Sequence, residues 1–145
     1  MSPSPDGTHV SIDHLDRIAV LSIHPDRHPD RQPGAGATFD ALVSEPIVET
    51  IEALRQERMQ SGAGRVCLLH LDDGSVPPPF AEALYESLRG VCGSLTLESV
   101  GTDARITLIR AASRADADTT IAFLAGDPAA FVAGATIDLV AGGAR

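Results

Sequence analysis

The 145 residues carry a formal charge of −9, from 20 carboxylates against 11 cations, and 43% of them are apolar. That length has room for one domain around one hydrophobic core, and the negative balance argues against nucleic acid or an anionic membrane surface as a partner, since both would repel it. No apolar run approaches the roughly 20 residues that cross a bilayer. The opening Met1-Ser-Pro-Ser-Pro-Asp-Gly7 has neither the basic nor the apolar region of a secretory signal, so a cytoplasmic location is expected.

Residues 1–14 are polar and proline-bearing and read as a flexible lead-in to a single domain over 15–145. The first strand is predicted in Leu15-Asp-Arg-Ile-Ala-Val-Leu-Ser-Ile23, an apolar run suited to a sheet covered on both faces. From His24 to Thr38 the prolines and glycines predict a loop. A helix is expected over 46–60, where Ile47, Val48, Ile51, Leu54 and Arg58/Met59 recur at helical spacing behind Pro46. Arg65–Leu71 reads as the second strand, and the turn-rich stretch to Pro79 as a loop. A long helix over 80–99 follows, with Leu84, Leu88, Val91, Cys92, Leu95 and Ser99 on one face. Strand 104–109, helix 116–125, a turn at 127–131 and strand 135–140 complete the chain. This alternation predicts an α/β domain, a parallel sheet with helices on its faces. Cys67 and Cys92 fall inside apolar patterns without metal-type spacing and read as reduced core residues.

The segment Thr120-Ile-Ala-Phe-Leu-Ala-Gly-Asp-Pro-Ala-Ala-Phe-Val-Ala-Gly-Ala-Thr-Ile-Asp-Leu-Val-Ala-Gly-Gly143 closely resembles the C-terminal signature of the short-chain dehydrogenase/reductase family. Upstream, Gly64-Arg-Val-Cys-Leu-Leu is similar to the family's Gly-Arg-Ile-Val-Asn-Ile strand. Tyr85-Glu-Ser-Leu-Arg89 sits where its Tyr-x-x-x-Lys motif would be, and Arg105-Ile-Thr-Leu-Ile109 resembles its Arg-Val-Asn-x-Val strand. The likeness spans residues 15–143 and corresponds to the second part of that fold, so it implies a truncated, Rossmann-like parallel sheet of about four strands.

Members of that family use a tyrosine as general acid/base, a lysine that tunes it and holds the ribose, a serine that orients the carbonyl and an asparagine in a proton relay. A phenol titrates near ~10, so it works at neutral pH only when a nearby cation stabilises its phenolate. Carried over residue by residue, the tyrosine is Tyr85 and the lysine position is Arg89, whose planar, permanently charged fork is a poor substitute for an ammonium. The serine falls at Leu71 or Asp72 and the asparagine near Val43 or Ser44; the chain contains no lysine and no asparagine. The glycine-rich turn that seats a pyrophosphate between strand and helix has no counterpart: Pro33-Gly-Ala-Gly-Ala37 lies in a loop, and Gly62-Ala-Gly64 precedes a strand.

Tyr85 and Arg89 are therefore the candidate site, as degenerate remnants of a catalytic pair, with no cofactor expected and NAD(P) only if a partner completes the site. His24, His70, Asp72 and Asp73 follow the ends of neighbouring strands, where metal ligands could gather, but they read as solvated loop residues, so no metal is expected. The tandem His24-Pro-Asp-Arg-His-Pro-Asp-Arg31 reads as a short duplicated loop. The resemblance implies a non-catalytic structural or regulatory subunit that associates with a full-length reductase or with itself through the helices at 46–60 and 80–99. Two alternatives stand beside it: a ketoreductase subunit contributing to a composite site, and a stand-alone binder of small ligands.

Overall fold

Three of the apolar runs become the centre of one sheet. A computed structural model describes residues 9–25, 39–61, 64–101, 104–129 and 132–140. Strands β2 (Ile18–Ile23), β3 (Arg65–Leu71) and β4 (Arg105–Ala111) lie parallel and side by side, and β5 (Thr136–Asp138) extends the parallel run beyond β4. Helices α1 (Glu45–Ser61), α2 (Pro78–Glu98) and α3 (Arg114–Ala125) pack on the two faces, giving the α/β, Rossmann-like architecture expected. All six residues of β2 are buried, which is why it reads as an apolar run broken only by Ser22. The tandem repeat beyond Pro25, the glycines of 34–36, the Gly62-Ala63 pair, Phe131 and the closing Gly142-Gly143 lie outside the described residues.

The flexible lead-in expected over 1–14 is corrected at its end. Val10–His14 forms a fifth strand, β1, antiparallel to β2 with Val10 opposite Ile23 and His14 opposite Ala19, so the sheet is mixed. Its signal is a period-two alternation in which Val10 and Ile12 pack into the core while Ser11 and Asp13 turn to the other face. The run is too short to stand out beside the prolines before it. The edge of β2 is thus covered from within the chain, and the face that β1 turns away from α1 is polar, with Arg114 reaching Asp13 at 3.2 Å.

Alternate residues send their side chains to opposite faces. On one, Leu21, Ile23, Leu68, Ile106 and Leu108 meet Leu54 of α1 and Leu84, Leu88 and Cys92 of α2. Leu84 and Leu88 are wholly buried, each contributing about 2 kcal/mol by removing apolar surface from water. On the other face Ile18, Val20, Cys67, Leu69, Ile109 and Ala111 form the floor for Ala117, Ile121 and Leu124 of α3. Both cysteines are buried and outside any disulfide, and burial pushes the Cys67 thiol up to about 12.

The first helix starts earlier than its sequence pattern suggests. Asp40–Ser44 makes a π-helical turn that runs straight into α1. Pro46 lacks an N–H and its ring crowds the carbonyl four residues back, so a helix that passes through it must widen there. At α3 the hydroxyl of Ser113 accepts from the Asp116 amide at 3.3 Å. Ser113→Ala is expected to cost about 1 kcal/mol in chemical denaturation, and Ser113→Asp to cost little or nothing. Gly134, at φ 72°, carries the chain into β5 beside Thr96, where a Cβ would lie 3.1 Å from the threonine methyl.

The strand order follows the chain, β1 to β5, yet α1 and α2 lie on one face and α3 on the other. With every step taken in the same direction across the sheet, the last crossover has the opposite hand to the two before it, so the three cannot all be right-handed. After β3 the chain leaves toward one face, and after the neighbouring β4 toward the other. Divergence of this kind opens a crevice at the carboxyl ends of the strands, the place where α/β sheets bind ligands.

Candidate functional site

The crevice between β3 and β4 is filled by charge. His70, Arg110 and Asp138 occupy the same register on β3, β4 and β5 and point to the face covered by α2. Arg110 is 2% exposed. Its Nε and Nη2 donate to Asp72 Oδ2 at 3.0 and 2.7 Å, its Nη2 to Glu82 Oε1 at 2.8 Å, and its Nη1 stands 3.5 Å from Asp138 Oδ2. Asp72 is buried at the start of the β3–α2 loop, which its amide ties to the Ala111 carbonyl at 2.8 Å. Burial is the largest influence on Arg110 and favours loss of its proton, but the hydrogen bonds and charges of Glu82 and Asp72 outweigh it, so the guanidinium holds its proton more firmly than usual.

Tyr85 closes the cluster from α2. Its ring stacks on His70, with centroids 6.0 Å apart and planes at 24°, and the Arg110 guanidinium carbon lies 4.9 Å from the ring centre, in cation–π range. Burial and the negative charge of Asp138 raise the phenol above its ordinary value, against a hydrogen bond with Thr136 and the positive charges of Arg89 and Arg110. His70 is wholly buried, and neither ring nitrogen has a hydrogen-bond partner among the described residues. Burial takes its pKa down to about 4, with Arg110 adding to the shift and Asp72, Asp138 and Glu82 opposing it, so the ring is neutral at pH 7.

Of the candidate pair, Tyr85 is in this cluster and Arg89 is not part of its packing. The Arg89 guanidinium is half-exposed and bonds Glu86, three residues back, at 3.0 Å. Leu71 lies at the end of β3 and packs toward α3, Val43 is buried in the π-helical turn, and Ser44 follows it. Of the four candidate metal ligands, His70 and Asp72 come together around Arg110. His24 instead faces Ser11 on β1, its Nε2 3.3 Å from the hydroxyl, and Asp73 is exposed, its carboxyl held below the usual range by hydrogen bonds from Ser75 in a local turn. Among the described residues, no group of three or more His, Cys, Asp or Glu side chains is placed to hold a metal ion.

Arg110, Glu82 and Asp138 were not singled out in the sequence. The signal was nonetheless present: Arg65-Val-Cys-Leu-Leu-His70 and Arg105-Ile-Thr-Leu-Ile-Arg110 place a polar residue at the same sixth position of two apolar strands, which align in register. A guanidinium at such a position, buried on both faces, demands carboxylates nearby.

Pro78 and Pro79 open α2, so the first turn of that helix lacks two of the amides with which a helix N-terminus holds phosphate. A small cavity of about 10 Å³ lies at the opposite end of the sheet, among Ile18, Arg65, Arg105 and Thr107, with room for no more than a water molecule. Arg65 there donates to the Leu124 and Gly126 carbonyls, capping the C-terminus of α3. No helix among the described residues is long and apolar enough to cross a membrane.

The fold and site define an α/β protein with a mixed, mainly parallel sheet and a charge-filled crevice at its carboxyl end. Compared with models of known families and with curated proteins, the chain gives no match.

Proposed function

We propose that the chain is a non-catalytic subunit, of the kind a degenerate short-chain dehydrogenase/reductase would provide, which acts by associating with a full-length reductase or with a second copy of itself through α1 and α2. The observation that carries this reading is the state of Tyr85. Its ring is stacked into the core and its phenol is shifted up, the direction opposite to that needed for acid/base work at neutral pH. The chain has no lysine to reverse the shift, and Arg89 is turned to Glu86. A nicotinamide dinucleotide does not suit the residues at this end of the sheet, because Asp72, Asp73, Glu82 and Asp138 oppose a pyrophosphate and α2 begins with prolines. The cytoplasm is the compartment this reading implies, and two reduced, buried thiols suit it.

Association is supported by the helices, since the edge of β2 is taken by β1 of the same chain. α1 and α2 pack side by side on one face, and each carries an exposed apolar side chain, Val48 and Leu97, the latter 76% exposed. Light scattering on the purified chain, alone and after incubation with extract of its native host, tests the proposal. A mass above that of one chain is expected, with Leu97→Asp weakening the assembly at least tenfold. A chain that runs as a monomer in both settings sinks the reading, as does tight binding of NADH or NADPH by the isolated polypeptide.

A further inference from the structure

His70 is a wholly buried imidazole at the carboxyl end of β3, and neither of its nitrogens has a hydrogen-bond partner among the described residues. A buried polar group in that condition lowers the stability of the closed state, because water would bond both nitrogens once it reached them. The groups around it come from four elements and are all charged or polar: Asp72 from the β3–α2 loop, Glu82 and Tyr85 from α2, Arg110 from β4 and Asp138 from β5, while Ile23 of β2 supplies an apolar flank. Glu82 of α2 and Asp138 of β5 are the outermost members, and both reach Arg110, which together with the Tyr85–Thr136 hydrogen bond ties the two elements to each other. β5 itself is three residues long and pairs with β4 alone among the described strands.

We propose that proton uptake by His70 unlatches this end of the sheet, so that β5 and the first turn of α2 part over Arg110 while the β2–β3 pair stays intact. Closed, the ring cannot take a proton without setting a second buried cation beside Arg110. Open, water solvates the imidazolium and the Arg110 fork becomes accessible. A ring that titrates at about 4 when closed and near ~6.5 when open favours the open form about 25-fold more at pH 5 than at pH 7.5.

Amide hydrogen exchange, corrected for the intrinsic effect of pH, reads the opening directly. The probes are the Leu139 amide, bonded to the Arg110 carbonyl, the Gly134 amide, bonded to Ile106, and the Ala81 amide in the first turn of α2. Their protection is expected to fall about 25-fold between pH 7.5 and 5 while the β2–β3 amides keep theirs, and His70→Phe is expected to remove the fall. Unchanged protection at the probes, a loss shared by the whole sheet, or an equal loss in His70→Phe overturns the proposal. Should the variant not fold, imidazole resonances of the parent protein decide the matter. Proton uptake by His70 over the range in which the probes lose protection supports the latch, and uptake with the probes still protected refutes it.

Discussion

Arg110→Met is expected to lower the unfolding free energy by about 3–5 kcal/mol, the largest effect of any single polar substitution in the crevice. Methionine preserves the apolar stem that lies beneath Tyr85 but removes the charge. The Asp72 carboxylate is then left 7% exposed with its two hydrogen bonds to the guanidinium gone, and it must either protonate or draw in water. Urea denaturation at pH 7 measures the loss. The double variant Arg110→Met/Asp72→Leu is expected to recover most of it, since a buried ion pair contributes little more than apolar packing of the same volume, whereas half of such a pair is costly. Arg110→Lys is expected to fall between, keeping the charge but giving up the fork that engages Asp72 and Glu82 together. If the single Met variant were as stable as its parent, the cluster would not be what holds this end of the sheet.

Acidification is expected to remove roughly 3 kcal/mol through His70 alone. Its pKa is about 4 in the folded protein and ~6.5 in the unfolded chain, so the unfolded state binds the proton first. The stability associated with the neutral ring is complete above pH 6.5, declines as pH falls through the interval from 6.5 to 4, and changes no further through this group below that. Thermal or urea unfolding at half-unit steps from pH 7.5 to 4 traces the curve. His70→Phe keeps a ring for Tyr85 to stack on, and its curve is expected to be flatter over the same interval. Parallel curves for the two proteins would remove His70 as the cause.

The sheet centre and the long helices were legible because burial on two faces or on one helical stripe leaves a periodic trace. Strand β3 begins and ends where its apolar run does, and α2 differs from its expected span by only a residue or two. β1 was missed because five residues offer only two apolar positions, and those are recognisable as a strand only once β2 is there to pair with. In the crevice, the helical offset from Tyr85 to Arg89 indicated a neighbouring cation, but the cation that Tyr85 meets is Arg110, 25 residues further along the sequence and brought in by the register of β4. Helical periodicity reports neighbours along one element. It says nothing of which strand will deliver a charge beneath it.

The floor under α3 is built partly from β3, through Cys67 and Leu69, and partly from β4, through Ile109 and Ala111. Neither strand alone offers this helix a surface, so it has nowhere to settle until the two have zipped together, and β5 can join only along β4. Helix α3 and β5 are therefore expected to consolidate only after β3 and β4 have paired, their amides being the last to gain protection on refolding.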